Sequence, residues 1–358
     1  MTIMPEVAEG IEHERVVVRQ DPETGLRLIV AVHSTVLGPA LGGMRLRAYP
    51  GGVPEALADV LGLARTMTLK ASAAGLDLGG GKAVMIDDGH EDMRDARMRA
   101  AAEAIDELRG AYITAEDIGT TTADMDLISR YTRWVVGRSL ENGGRGDPSP
   151  VTAETVLRAM ERGLVAATGS PAFDGRTVAV IGVGKVGAPL ARRLALAGAK
   201  VAAFDVDRAR LEALADEGAL APVASLEALL AREVDVLAPC AAGGTIEGDV
   251  RCRLVCGAAN NPLASADVAE RLAARKVLYV PDFLANCGGL ISVSAEWTRA
   301  GDDDVERHIL RAMLRLDDAL AESKRTGEPP AVVAEHHALE RVANARTERR
   351  AGGLAAVA

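Results

Sequence analysis

Apolar and polar positions along the chain change rhythm several times. Two runs with strand character open it, Val16–Arg19 and Leu26–His33, separated by the turn-forming D-P-E-T-G of Asp21 to Gly25. A glycine-rich stretch, G-P-A-L-G-G-M-R (Gly38 to Arg45), reads as a loop. Pro54 then suits the first turn of a helix reaching about Ala74, with Leu57, Val60, Leu61 and Ala64 at helical spacing. A loop over Gly75–Gly81 leads into a strand, Ala83–Ile86. A charged helix over about 91–108, a strand at Tyr112–Ala115 and a helix over about 122–131 follow.

At N-G-G-R-G-D-P-S-P (Asn142 to Pro150) three glycines and two prolines in nine residues mark a linker or hinge. Beyond a helix at Thr152–Thr168, short apolar strands alternate with helices. The strands are Thr177–Ile181, Lys200–Phe204, Val234–Leu237, Leu254–Ala258 and Val277–Val280. The helices are Val186–Ala197, Arg208–Asp216 and Ser265–Ala274, with a long one near 303–322. Such alternation implies a parallel, doubly wound sheet.

The length of 358 residues fits two domains. A net charge of −10 argues against nucleic acid or an anionic membrane as partner. The start M-T-I-M-P-E-V-A-E-G lacks the basic and apolar regions of a signal peptide, and no run is long and apolar enough to span a bilayer, so a cytoplasmic protein is expected. Cys240, Cys252, Cys256 and Cys287 lie mostly in apolar contexts and read as reduced core thiols. The adjacent His336 and His337 point apart on a helix, and no metal site is expected. His33, Trp134 and Trp297 read as structural. The tail arginines Arg341, Arg346, Arg349 and Arg350 read as a solvated face or an oligomer contact.

Two glycine-rich segments carry the candidate chemistry. The apolar strand at Thr177–Ile181 runs into G-V-G-K-V-G (Gly182 to Gly187), which opens a helix. In that context Gly182 permits a tight turn, Gly184 admits a pyrophosphate at the helix N-terminus, and Gly187 lets helix pack on strand. Asp205 follows Gly187 by eighteen residues, near the spacing of about twenty for a carboxylate that binds a ribose 2′-hydroxyl. A carboxylate there repels a 2′-phosphate and favours NAD over NADP. Arg208 pulls the other way and Asp207 opposes it.

The second segment is M-T-L-K-A-S-A-A-G-L-D-L-G-G-G-K. Only six of the chain's 41 basic residues are lysines, and two of them, Lys70 and Lys82, stand twelve residues apart here. Lysine differs from arginine in surrendering its proton more readily when buried. One ammonium could clamp a substrate carboxylate and the other act as a general base, with Asp117 of T-A-E-D-I-G (Thr114 to Gly119) receiving an amino group. Other readings stay open on spacing alone. Lys70 would then complement a helix C-terminus, Lys82 be a solvated strand lysine, and Asp117 a cap.

Taken together, A-L-G-G-M-R, K-A-S-A-A-G-L-D-L-G-G-G-K, T-A-E-D-I-G-T, D-P-S-P-V-T-A, G-V-G-K-V-G, A-A-N-N (Ala258 to Asn261) and P-D-F-L-A-N-C-G-G-L-I (Pro281 to Ile291) resemble the glutamate/leucine/phenylalanine/valine dehydrogenase family, from about residue 30 to 300. The resemblance implies two α/β domains with a cleft between. An N-terminal substrate-binding and oligomerisation domain over 1–148 would be joined by about 325–358. A Rossmann NAD-binding domain would span 149–324. The chain would oxidatively deaminate an L-amino acid to a 2-oxo acid, ammonia and NADH as a homo-oligomer, the two domains closing about a hinge.

By the same resemblance Lys82 activates water, Asp117 handles protons at the amine, and Lys70 binds the carboxylate with backbone at Gly43 and Met44. Asn261 stands near the reacting amine. Thr152, Asn260 and Asn286 stand near the nicotinamide ribose. Val183, Lys185, Val186, Val206, Cys240 and Ala241 join the coenzyme contacts. Leu41, Ala115, Leu290 and Val293 line the side-chain pocket. All four are aliphatic, which disfavours glutamate and suits leucine, valine or isoleucine. Phenylalanine specificity is the alternative within enzymes, and a catalytically silent NAD-binding regulator the alternative outside them. Cys287, Ser292, Ser294, Ala295 and the Ala241-Ala242 pair depart from the family pattern and bear on specificity.

Overall fold

A computed structural model describes residues 12–355. Residues 1–11, which include the start expected to lack a signal peptide, and the last three residues lie outside the described residues. The chain divides into two compact units. The first runs to Asp147 and takes back Ser292–Val305 and the chain from Ala338 on; the second holds Pro148–Ile291 and Glu306–His337.

The first unit is built on a five-stranded sheet in the order β1-β2-β4-β3-β5. Its strands are β1 (Arg15–Asp21), β2 (Leu26–Ser34), β3 (Ala40–Arg47), β4 (Gly79–Ile86) and β5 (Tyr112–Glu116). β1 and β2 form an antiparallel hairpin, β2 pairs antiparallel with β4, and β3 runs parallel to β4 and β5. Helix α1 (Gly52–Ala73) covers one face, where Ile29, Ala31, Val84 and Ile86 meet its Ala56, Val60 and Ala64. Helices α2 (Arg94–Asp106) and α3 (Thr122–Ile128) cover the other, with Leu28, Met44, Met85, Met98, Tyr112 and Met125 in the core. Period-2 alternation decides which side chain reaches which core.

The stretch read as a loop at Gly38–Arg45 is mostly strand. β3 occupies Ala40–Arg47 near the middle of the sheet, and β4 likewise begins at Gly79, inside the other expected loop. The reason is packing. A Cβ on Gly42 would lie 1.8 Å from the Gly81 carbonyl oxygen, and one on Gly80 2.0 Å from the Thr68 backbone nitrogen of α1. Glycines there admit a neighbouring backbone; they do not break the strands. Beneath them Tyr112 is fully buried and its hydroxyl donates to the Gly42 carbonyl at 2.6 Å. Burial of so large a ring is worth roughly 1.5–3 kcal/mol.

The second unit carries a six-stranded parallel sheet ordered β11-β10-β9-β6-β7-β8. These are β6 (Thr177–Ile181), β7 (Lys200–Phe204), β8 (Ala221–Pro222), β9 (Val236–Pro239), β10 (Leu254–Val255) and β11 (Leu278–Tyr279). The sequence pattern matches β6 and β7 end to end but passes over β8, only two residues long. Helix α4 (Ser149–Thr168) starts three residues before its expected position, with Pro150 in its first turn. It is followed by α5 (Gly187–Leu196), α6 (Arg208–Asp216), α7 (Leu226–Leu230), α8 (Ala266–Ala274) and α9 (Asp282–Ala285). Helices α10 (Gly288–Thr298), α11 (Asp302–Thr326) and α12 (Pro330–Ala355) complete the chain. Among the described residues no helix is long and apolar enough to cross a membrane. None of the four cysteines forms a disulfide among the described residues, and Cys256 and Cys287 are buried.

Candidate active site

On the α1 face of the first sheet, register lines up a row of small residues around one lysine. Ala31 of β2 pairs with Lys82 of β4, and Gly43 of β3 pairs with Ala115 of β5. The β3–β4 register that joins Met44 to Ala83 sets Gly43 beside Lys82. Lys82 is thus only 6% exposed, which excludes a solvated strand lysine. Its Nζ lies 3.1 Å from Oδ2 of Asp117, just past the end of β5. Lys70, in the last turn of α1, is also buried.

Asp117 does not cap a helix with its carboxylate, since the capping box of α3 belongs to Thr121 and Asp124. Instead Nε of Arg45 donates to the same Oδ2 at 2.9 Å. The Thr120 hydroxyl accepts from the Asp117 backbone N–H at 2.8 Å and donates to the Met44 carbonyl at 2.8 Å, tying that loop to β3. Burial by itself would raise the Asp117 pKa, but the Lys82 ammonium and the Arg45 guanidinium outweigh it and hold the carboxyl below its usual range. Leu41, Ala115 and Val293, also of this unit, are buried, and the Met44 side chain sits in the opposite core.

In the second unit the glycine loop follows β6. Gly182 has φ +90°, where an L side chain is strained, and a Cβ there would also press on Ala241 at 2.9 Å. A Cβ on Gly187 would sit 2.0 Å from the Gly182 carbonyl oxygen and 3.2 Å from Cβ of Cys240. Cys240 and Ala241, after β9, therefore flank the loop at the point where the strand order reverses, the usual seat of a dinucleotide. Gly184 is open: its nearest neighbour to an added Cβ is Nη1 of Arg210 at 4.0 Å. Val183, Lys185 and Val186 complete the loop ahead of α5.

Asp205 follows β7 and accepts the Val183 N–H at 2.6 Å and the Asp207 N–H at 2.8 Å. Val206 beside it is 89% exposed. The neighbouring arginines are engaged elsewhere, Arg210 with Asp207 at 2.9 Å and Arg208 with the Ala224 carbonyl at 3.1 Å. Asn286 is buried; its Nδ2 donates to the Ala258 carbonyl and to Asn260 Oδ1, while its Oδ1 has no partner among the described residues. Asn261 adopts φ +47°, and its N–H donates to Asp282 at 2.7 Å. Thr152 in α4 and Leu290 in α10 are both buried. An open cradle over a helix N-terminus, a carboxylate at the end of β7 and an orphaned buried acceptor suit a nicotinamide dinucleotide.

Family models match in the same order. Residues 13–134 match the Glu/Leu/Phe/Val dehydrogenase dimerisation domain, and residues 205–350 match Glutamate/Leucine/Phenylalanine/Valine dehydrogenase. A valine dehydrogenase of Streptomyces virginiae is 42% identical over 343 residues, 93% of this chain and 95% of the relative. The chain belongs to the Glu/Leu/Phe/Val dehydrogenase family. It is an amino acid dehydrogenase that uses a nicotinamide coenzyme. A leucine dehydrogenase of Geobacillus stearothermophilus is 39% identical over 95% of this chain and 94% of its own. Residues 154–242 also match the NAD binding domain of D-isomer specific 2-hydroxyacid dehydrogenases. Among solved structures, L-tryptophan dehydrogenase from Nostoc punctiforme superposes with a TM-score of 0.81 at 30% identity, covering 96% of this chain and all of that one.

For a member of this family, sequence reasoning left out the residues behind Asp117. Arg45 was visible only as the last letter of a motif, one among many arginines. Its partners Asp59, on α1, and Tyr49 carry no motif at all. Asp282, which holds Asn261 and also accepts from the Tyr279 hydroxyl at 3.1 Å, lay unmarked within P-D-F-L.

Proposed function

We propose that this dehydrogenase oxidatively deaminates branched-chain L-amino acids (leucine, valine and isoleucine) with NAD, giving the 2-oxo acid and ammonia. The observation that carries the reading is the pairing of buried Lys82 with half-buried Asp117 beside Gly43, a proton-handling couple on the face that also bears Leu41 and Ala115. In this reading the Lys70 ammonium, with backbone at Gly43 and Met44, binds the substrate carboxylate. Asp117 takes and returns protons at the amino group. Lys82, in its deprotonated amine form, takes a proton from the water that attacks the imine carbon.

The dinucleotide would rest on Gly182–Gly187, with Asp205 and Val206 at the adenosine ribose. Cys240, Ala241, Thr152, Asn260 and Asn286 would stand toward the nicotinamide end, with Asn261 near the amine. When bound, the coenzyme accepts a hydride from the substrate Cα. NAD over NADP is supported by the carboxylate of Asp205 and by the prior engagement of Arg208 and Arg210. Leu41, Ala115 and Val293 of the first unit and Leu290 of the second are all buried aliphatic residues, which supports an aliphatic substrate. The names of the relatives point the same way. A match to a dimerisation domain supports self-association of this chain. We place the enzyme in the cytoplasm, where its coenzyme is.

The test is NADH absorbance with purified protein against a panel of L-amino acids, with NAD and with NADP. Turnover with leucine, valine or isoleucine on NAD is expected. Phenylalanine or tryptophan far above leucine would refute the aliphatic reading. Silence with every amino acid would favour a non-catalytic NAD-binding protein.

A further inference from the structure

We infer that Arg45 is a positioning residue for this reaction, holding the Asp117 carboxylate against Lys82 while Asp59 and Tyr49 hold Arg45 from behind. The inference rests on the proton-handling role proposed for Asp117. Four charges alternate in sign along the α1 face: Lys82, Asp117, Arg45 and Asp59. Lys82 Nζ and Arg45 Nε lie 3.1 Å and 2.9 Å from the same oxygen of Asp117, and that leaves Oδ1 for a substrate ammonium. Nη1 of Arg45 reaches Asp59 at 3.1 Å, and the Tyr49 hydroxyl donates to the same Asp59 oxygen at 2.6 Å.

Arg45 suits this task better than lysine, which could supply the charge but not the fork. Its fork addresses two carboxylates at once from a planar, always charged group, and strand β3 fixes its root. The Arg45 side chain is largely buried, so the arrangement is weakly screened. Asp59 projects from α1 near the buried Val60, so the packing of α1 on the sheet sets the Arg45 angle. Tyr49 is buried too; its pKa is raised by burial and by Asp59, so the phenol remains a neutral donor. Another titratable neighbour of Asp117 is the buried Tyr112 of β5, whose pKa is likewise raised by burial.

Two substitutions should move the acid limb of the kcat/KM profile in opposite directions. Arg45→Gln removes a cation from Asp117, so the carboxyl protonates more easily and the limb moves up by about 1 pH unit or more, the usual effect of one close counter-charge. Asp59→Asn removes an anion that competes for Arg45, so the limb moves down. Arg45→Lys keeps the cation and returns the limb toward its wild-type place. The KM for coenzyme stays constant throughout. A merely structural role would lower the amount of active enzyme and leave the profile in place. Limbs that coincide with wild type, or that move the same way in both variants, overturn the inference. If Arg45→Gln does not fold, the Asp59→Asn shift decides alone. A wild-type chain inactive with every amino acid overturns the underlying reading, and this inference with it.

Discussion

Replacing Gly43 by alanine isolates what the glycine strand contributes to chemistry. Its backbone does not occupy the left-handed region, so any penalty comes from the added methyl and not from φ. That methyl would sit 2.6 Å from the Glu116 carbonyl oxygen and 2.8 Å from Cβ of Asp117, against 3.4 Å where ordinary contact begins. The Glu116–Asp117 segment must therefore retreat by about 0.8 Å, the difference between those distances. Overpacking of this kind costs about 1–3 kcal/mol of stability. Its larger effect is on geometry: a retreat of that size stretches the 3.1 Å contact from Lys82 toward the edge of an ion pair. Misplacing a reacting group by roughly 1 Å lowers turnover by on the order of 100-fold. The assay is initial-rate NADH formation with leucine, beside circular dichroism for the fold and fluorescence titration for coenzyme binding. A folded Gly43→Ala enzyme with kcat within about threefold of wild type would refute the argument that Gly43 sets the place of Asp117.

Three further outcomes are expected. Gly62→Ala, on an exposed turn of α1 where an added methyl meets nothing, should stabilise the protein by about 0.5–1 kcal/mol in thermal unfolding and leave kcat unchanged. Asp205→Ser should cut the preference for NAD over NADP about tenfold or more in kcat/KM, since it removes the group that repels a 2′-phosphate; an unchanged ratio would displace Asp205 from the ribose. His33 titrates at about 4 because of burial, then the neighbouring His13 and Arg65 charges. The unfolded chain thus binds the extra proton first, and stability present above about 6.5 is lost as pH falls toward 4. The melting temperature should decline across that window, and less steeply in His33→Asn.

Much of the second unit was legible because its strands are continuous apolar runs closed by glycine or aspartate, a pattern that survives any tertiary setting. β6, β7 and the helix at Arg208–Asp216 fall where the pattern puts them. The helix at Gly288–Thr298 was not legible. Its Gly288 and Gly289 look like breakers, yet an added methyl on either would strike Thr155 or Thr152 of α4, so they serve close helix packing. β3 failed for the same reason, since glycine admits both freedom and close approach and composition alone does not say which.

The candidate site divides along similar lines. Residue type and spacing pick out Lys70, Lys82, Asp117, Gly182–Gly187 and Asp205, because few side chains offer a compact ammonium or a bare backbone for phosphate. Which groups govern Asp117 is a matter of register. Arg45, Asp59 and Tyr49 are ordinary letters until β3 lies beside β4 and α1 packs across them. A lone residue declares its chemistry through its own atoms. The proton affinity and orientation of a half-buried carboxylate belong to its neighbours, and those are brought together only when strands far apart in the chain are paired.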